Sequence, residues 1–295
     1  MSICWLDGEL MPTDKAKISV LDHGLLYGDG VFEGVRFYKR QAFRLKEHLQ
    51  RLQDSATAIC LTLPYSRSQL ESAIDEVIQA FTADEGYLRL VVTRGKGPLG
   101  INPAQCKQAT AFIIAEQTDF VSTKLKQQGA KLIIASTRRL PADGLDPRIK
   151  SLNYLNHILA RMEANQAGAD EAILLNAQGY VAEGSTDNIF IIKNGCIFTP
   201  PVSDGALQGI TRELVIELAG KINVPYEIKT LAPYDLYTAD ECFLSGTAME
   251  LIPVRDVDGR KLVSCPGKIF QQLLQAFTKK IQTEVNDLAS QRIAS

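Results

Sequence analysis

Chemistry enters this chain through one lysine, one glutamate and several small-residue turns. Lys150 stands in Arg148-Ile149-Lys150-Ser151-Leu152-Asn153-Tyr154, between an irregular stretch of Pro, Gly and Asp and a helical pattern. A lysine amine that sheds its proton attacks carbonyls; most lysines are solvated surface charges instead. Glu183 stands in Val181-Ala182-Glu183-Gly184-Ser185, ahead of an apolar strand, where a solvated strand-end carboxylate is the ordinary outcome. Gly205-Ala206-Leu207-Gln208-Gly209-Ile210-Thr211-Arg212 feeds a helix N-terminus, whose N–H groups and positive dipole end suit phosphate. Leu244-Ser245-Gly246-Thr247-Ala248 follows a strand and offers hydroxyls and amides to an anion. Read alone, each of these two is more simply a plain turn. Leu25-Leu26-Tyr27-Gly28-Asp29-Gly30-Val31-Phe32-Glu33-Gly34 is rich in glycine, which fits a tight backbone path beside a pocket, or just a loop.

Regular elements must position these groups. Apolar, β-branched and alternating runs predict strands at 3–10 (with a turn at Asp7-Gly8), 31–37, 87–93, 111–115, 131–136, 171–175, 188–192 and 241–244. Helical spacing predicts helices at 47–59, 153–165, 212–222 and 268–284. A further helix opens with a capping box at Ser68-Gln69-Leu70-Glu71 and runs through Phe81. Lys193-Asn194-Gly195 favours a type I′ hairpin turn. The polar, weakly patterned stretch 117–128 reads as an interdomain linker. The expected class is α+β (mixed α/β), with a small N-terminal α/β domain at 1–116 and a larger C-terminal domain at 129–295.

Composition excludes several function classes. The 295 residues carry 32 Lys and Arg against 34 Asp and Glu, a net charge of −2. That balance argues against a dedicated nucleic-acid binder. No apolar run approaches the ~20 residues of a membrane span. The first residues lack a basic head, a long apolar stretch and a cleavage site, so a cytoplasmic location is expected. The six cysteines are scattered without a Cys-x-x-Cys pair, and the three histidines form no helical pair, so no metal site is expected.

Taken in order and spacing, the chemical stretches resemble the class IV, fold-type IV pyridoxal-phosphate enzymes. That group holds branched-chain-amino-acid and D-amino-acid aminotransferases and aminodeoxychorismate lyases. The resemblance runs from about Trp5 to Gly259 and is most specific at Tyr27–Arg36, Lys150–Tyr154, Glu183–Phe190, Gly209–Arg212 and Ser245–Ala248. It implies a two-domain, D-amino-acid-aminotransferase-like fold with pyridoxal 5'-phosphate at the domain interface. It makes Lys150 the catalytic lysine, which forms the Schiff base and then carries a proton between Cα and C4′. By the same resemblance Glu183 partners the pyridine nitrogen. Tyr154 meets the ring oxygen. Arg51, in His48-Leu49-Gln50-Arg51-Leu52, pairs with the phosphate through its planar fork. Ile210, Thr211 and Thr247 complete the phosphate site.

Phe32-Glu33-Gly34-Val35-Arg36 and Tyr87-Leu88-Arg89 resemble the branched-chain form more than the D-amino-acid form. The resemblance then implies ping-pong transfer between Leu, Ile or Val and 2-oxoglutarate. Tyr27, Phe32, Tyr87 and Tyr154 would box an aliphatic side chain. Arg89, supported by Arg36, would meet the distal carboxylate of glutamate, and the Thr247 and Ala248 amides the α-carboxylate. Gly95–Ile101 resembles a loop that covers the neighbouring subunit's site, which implies at least a homodimer. Thr93-Arg94-Gly95 also occurs in the D-amino-acid enzymes, where an arginine binds the α-carboxylate. Arg94 thus keeps a D-amino-acid or (R)-amine transaminase open. An aminodeoxychorismate lyase stands on the same scaffold, although Ser151-Leu152-Asn153-Tyr154 speaks against it. A non-catalytic cofactor-binding protein would lack Lys150 or Glu183, and both are present.

Overall fold

The computed structural model describes residues 2–117 and 122–294, with side chains to residue 290. The chain divides into two compact units. Met1–Thr118, Ile149–Asn153 and Gln282–Ser295 form the first; Asp119–Arg148 and Tyr154–Ile281 form the second. The segment around Lys150 and the end of the last helix therefore group with the N-terminal unit, in place of the unbroken domain expected from 129 onward.

The first unit holds strands β1 (Ile3–Leu6), β2 (Glu9–Pro12), β3 (Gly30–Tyr38), β4 (Gln41–Ala42), β5 (Gly86–Thr93) and β6 (Thr110–Glu116). They form an antiparallel sheet ordered β2-β1-β6-β5-β3-β4. Helices α1 (His23–Tyr27), α2 (Leu45–Ala58) and α3 (Arg67–Ala80) follow the same chain. The stripe Leu49, Leu52 and Ala56 of α2 joins Leu70, Ile74, Val77 and Ile78 of α3 in one core with Val31, Val35, Leu88, Leu90 and Ile113. The capping box of α3 uses Ser66 and Gln69, not Ser68 and Glu71. The Gln69 N–H donates to the Ser66 hydroxyl at 3.3 Å, and the Ser66 N–H to the Gln69 side chain at 2.8 Å. That reciprocal pair satisfies two amides, and Ser68 falls inside the first turn.

β4 covers only the far end of β3, so part of that strand's edge stays available. Residues 149–153 take it. Val31 bridges Ser151, the Phe32 N–H donates to the Lys150 carbonyl at 3.0 Å, and the Leu152 N–H to the Gly30 carbonyl at 3.0 Å. These ladder bonds explain why the lysine segment groups with the first unit.

The second unit holds β7 (Ala130–Arg138), β8 (Glu171–Leu175), β9 (Val181–Gly184), β10 (Asn188–Lys193), β11 (Cys196–Thr199), β12 (Tyr226–Ile228), β13 (Glu241–Gly246), β14 (Glu250–Val257) and β15 (Arg260–Lys261). Their order is β12-β11-β10-β13-β14-β7-β8-β9, with β15 on β14. Its helices are α4 (Thr123–Gln128), α5 (Leu155–Gln166), α6 (Ile210–Lys221), α7 (Pro233–Tyr237) and the start of α8 (Lys268–Ala294). The β10–β11 hairpin turns at Asn194 and Gly195 with φ 51° and 80°, as a type I′ turn requires. The expected linker is only partly irregular. Residues 118–121 lie outside the described residues, and 123–128 form α4. The Ser122 side chain caps that helix, and Leu125 packs onto the core.

Candidate active site

Strand alternation arranges the candidate residues of the first unit. Val31, Val35, Leu88 and Leu90 enter the core beneath α2 and α3. Phe32, Gly34, Arg36, Tyr87 and Arg89 alternate with them and so face the other way. Gly34 and Arg89 stand opposite each other in register. The Arg89 guanidinium carbon lies 4.5 Å from the Phe32 ring centroid and 5.6 Å from that of Tyr87. The Lys150 Nζ lies 4.6 Å from the Phe32 centroid. A Cβ at Gly34 would come within 1.9 Å of the Tyr87 Oη, so the glycine makes room for the phenol. Arg36 lies over the Tyr38 ring at 5.1 Å. One face thus carries the Phe32 and Tyr87 rings with three cations, Arg36, Arg89 and Lys150, the last of them the predicted nucleophile.

Tyr27 ends α1. Its hydroxyl accepts from the Gly100 N–H at 2.9 Å, and its ring meets His23 edge-on at 5.0 Å. The buried His23 donates through Nε2 to the Pro98 carbonyl at 2.9 Å. Loop 95–101 is therefore fastened to α1 while Leu99 and Ile101 remain 75% and 83% exposed.

Alternation sends Glu33 to the helix side, where α2 presents His48 and Arg51. Arg51 grips the carboxylate with Nε at 2.7 Å and Nη2 at 2.9 Å, and His48 Nδ1 lies 2.7 Å from it. The Glu33 residue is fully buried. Burial alone would push its carboxyl up, but Arg51 and His48 outweigh that and hold it well below the ordinary range. Burial drives His48 down, against the pull of Glu33, with Arg51 and Lys150 pushing the same way. The imidazole is thus neutral and donates Nδ1–H to the carboxylate. Glu33 fixes the plane of the Arg51 fork, a partnership that the family resemblance does not supply. A signal for it exists in the chain: a charge inside Val31-Phe32-Glu33-Gly34-Val35 needs a buried partner.

Arg94 departs from the expected substrate role. Its guanidinium donates to Asp29 at 2.9 and 3.0 Å, to the Cys60 carbonyl at 2.7 Å and to the Ile59 carbonyl at 2.8 Å. A guanidinium has five N–H donors, and these bonds use most of them. Arg94 therefore braces the turn after α2 rather than waiting for a carboxylate.

The second unit surrounds Glu183. This residue is 4% exposed, so the solvated strand-end reading is corrected. Its carboxylate lies 3.1 Å from the Arg139 Nε and accepts the Leu207 N–H at 2.8 Å. Asn188 contributes a longer contact at 3.5 Å and holds the Leu207 carbonyl at 2.9 Å. Arg139 also donates to the Gly205 carbonyl at 2.9 Å and to His157 at 2.9 Å. His157 stacks on Tyr154, the residue before α5, with centroids 4.3 Å apart. Arg139 and His157 are absent from the expected set. Arg139 reaches Glu183 from just past the end of β7, and His157 reaches Arg139 from α5; no local spacing announces either. Ile210 and Thr211 open α6 behind Gly209, and no side chain caps that helix. Its first amides have the arrangement an anion needs. Thr247 and Ala248 occupy the half-buried turn between β13 and β14. Asp187 is buried beside Glu171 and Glu183; burial first, then those two charges, raises its carboxyl well above the ordinary value.

These features fit a phosphorylated pyridine aldehyde. In the first unit an amine beside an aromatic ring suits its aldehyde; in the second, a buried carboxylate held by a cation and an uncapped helix N-terminus suit its ring nitrogen and phosphate. Comparison with known proteins agrees. The family model described as amino-transferase class IV matches residues 30–257. A Methanocaldococcus jannaschii protein assigned as a branched-chain-amino-acid aminotransferase is 46% identical over 281 residues, covering 95% of this chain and 96% of that protein. The crystal structure of the Escherichia coli branched-chain amino acid aminotransferase superposes with a TM-score of 0.91 at 34% identity, over 94% of this chain and 93% of that one. The T.th. branched-chain amino acid aminotransferase, solved with N-(5'-phosphopyridoxyl)-L-glutamate, gives a TM-score of 0.88 at 36% identity, over 95% and 93%.

Proposed function

The chain belongs to the class IV aminotransferases, whose cofactor is pyridoxal phosphate, and we propose that it moves the amino group between branched-chain L-amino acids and 2-oxoglutarate. The observation that carries this substrate choice is the face where Arg89 lies over Phe32 and beside Tyr87. Such a face serves both substrates. The rings accept a Leu, Ile or Val side chain, and the cation at their edge meets the distal carboxylate of glutamate. The glutamate adduct in the T.th. relative supports this pairing. Arg94, committed to Asp29, gives the D-amino-acid reading no cation at that place.

When bound, pyridoxal phosphate supplies an aldehyde for the substrate amine and an electron sink for the pair released at Cα. Lys150 serves as the catalytic base, taking the Cα proton and returning it at C4′. Its amine is held close by the backbone ladder of 149–153 on β3, so the transfer is local. Glu183 keeps the ring nitrogen protonated, and Arg139 pairs with its carboxylate at 3.1 Å. Arg51, Ile210, Thr211 and Thr247 bind the phosphate, Arg51 with its fork set by Glu33. Tyr154 donates to the ring oxygen. Tyr27, Phe32, Arg36, Tyr87, Arg89 and Ala248 shape the substrate side, with the Thr247 amide on the α-carboxylate.

The active species is a homodimer in the cytoplasm. Leu99 and Ile101, exposed on a loop fastened to α1, suit a contact with a second copy, as do Leu155, Ile158 and Met162 on α5. Among the described residues no helix is long and apolar enough to cross a membrane, and all six cysteines are free thiols, as a reducing compartment allows.

The test is an absorbance spectrum before and after adding L-leucine without a keto acid. The yellow cofactor band should bleach, and 2-oxoglutarate should restore it. In Arg89→Ala the bleach by leucine should persist while restoration by 2-oxoglutarate slows sharply. A band that L-leucine leaves untouched while D-amino acids bleach it would overturn the substrate assignment.

A further inference from the structure

We propose that His157 is a positioning residue for this reaction, a neutral imidazole that ties the orientation of Tyr154 to the Arg139–Glu183 pair. The inference rests on the transaminase reading above and assigns a part to a residue outside the expected site. His157 is 7% exposed. Its Nδ1 lies 2.7 Å from the Ser185 carbonyl, and its Nε2 lies 2.9 Å from the Arg139 Nη1. A carbonyl only accepts and a guanidinium only donates. The ring therefore carries its hydrogen on Nδ1 and presents a lone pair at Nε2. A second hydrogen would point at a guanidinium.

Both ends of this link meet groups the reaction needs. Arg139 bridges to Glu183 at 3.1 Å. On its face, the imidazole stacks on Tyr154 at 4.3 Å with the planes 18° apart. Tyr154 and His157 stand three positions apart at the start of α5, which places them on one side of the helix. Charged and titratable groups near the ring and its partners include Arg139 just after β7, Glu183 on β9, Tyr154 before α5, Glu171 on β8, which accepts the Ser185 N–H at 3.3 Å, and Asp187, buried beside Glu171 and Glu183. A ring fixed at both nitrogens gives that phenol a fixed surface to stack on. The same ring gives Arg139 an acceptor besides the Gly205 carbonyl, while the guanidinium pairs with Glu183. The side chains expected at the cofactor's nitrogen and at its ring oxygen are thereby set by one residue.

Two variants separate these functions. His157→Phe keeps a ring against Tyr154 and removes the acceptor. His157→Gln keeps an acceptor for Arg139 and removes the ring. The first readout is the imidazole nitrogen NMR spectrum of the purified enzyme and of its cofactor-free form. With three histidines in the chain, the His157 signals are found by their loss in either variant. The expected pattern is protonation at Nδ1 with an unprotonated Nε2 at neutral pH. Protonation at Nε2, or on both nitrogens, would overturn the proposal. The second readout is kinetic. Losing a hydrogen bond to a charged group changes a rate about ten- to a hundredfold. His157→Phe should lower kcat by about that factor with the KM for leucine little changed, and should shift the pH dependence of the cofactor's absorbance. His157→Gln should recover part of kcat. A lower Tm in both variants with kcat per cofactor-loaded site and the spectral pH profile unchanged would mean a purely structural histidine, and would overturn the proposal. Failure of the wild-type enzyme to transaminate any amino acid would instead overturn the functional reading, and the tautomer measurement would still decide the hydrogen bonds.

Discussion

Replacing Glu33 by glutamine tests the buried charge set directly. The wild-type carboxylate, fully buried, receives two N–H bonds from Arg51 at 2.7 and 2.9 Å and one from His48 at 2.7 Å. A glutamine has one oxygen for these donors, and its amide hydrogens face Arg51 or His48. Removing one partner of a buried pair costs about 3–5 kcal/mol, because the other charge is left uncompensated. The Arg51 side chain is 13% exposed, so water recovers some of this. The expected loss is near the lower end, about 3 kcal/mol. Trp5 is the sole tryptophan and sits in the same core, so its fluorescence during urea unfolding reports this unit. The pH dependence carries a second signature. Glu33 is held below its ordinary value of 4.5, so its contribution is complete above that pH and is lost as the pH falls below it. The gap between wild type and Glu33→Gln should therefore be widest near neutrality and narrow in acid. His48, held below its ordinary 6.5, removes stability from both proteins as the pH falls through that value, because only the unfolded chain takes the proton. A loss below about 1 kcal/mol at neutral pH, the size of an ordinary surface pair, would refute the argument; so would a gap that stays constant into acid.

Two further substitutions probe other parts of the site. Asp187→Asn should raise the midpoint of thermal unfolding at neutral pH. The Asp187 carboxyl is pushed up by burial and by Glu171 and Glu183, so its cost is absent below the ordinary value of 3.8 and grows as the pH rises above it. The stabilisation should vanish in acid; an unchanged or lower midpoint at neutral pH would contradict this. Gly34→Ala places a methyl where the Tyr87 hydroxyl lies, 1.9 Å away. The ring must move, so the KM for leucine should rise several-fold while cofactor content stays the same; an unaltered KM would show that Tyr87 does not line the substrate.

Local patterns in the sequence suffice for much of the fold and for part of the site. The apolar stripes of α2, α3 and α8, and the Asn194-Gly195 turn, are short-range signals, and each element forms close to its expected place. β14 escapes such reading because Pro253 interrupts it, and proline argues against a paired strand. The lysine segment is recognisable as chemistry, but its pairing with β3 is a ladder between distant residues that no periodicity encodes. Charges divide most sharply. Arg94 has the neighbours of a substrate ligand in a family pattern, yet Asp29, 65 residues away, occupies it. Glu183 has the local sequence of a solvated strand end, yet β9 pairs with β8 and brings it against Arg139. In both cases the residue type is legible and the partner is not, because ion pairing across a fold is set by topology and leaves no spacing in the chain. Glu33 marks how far sequence reasoning reaches. A carboxylate amid apolar strand residues must have a buried partner. His48 and Arg51, three positions apart on one predicted helix, are the candidates that charge and helical spacing nominate from the chain alone.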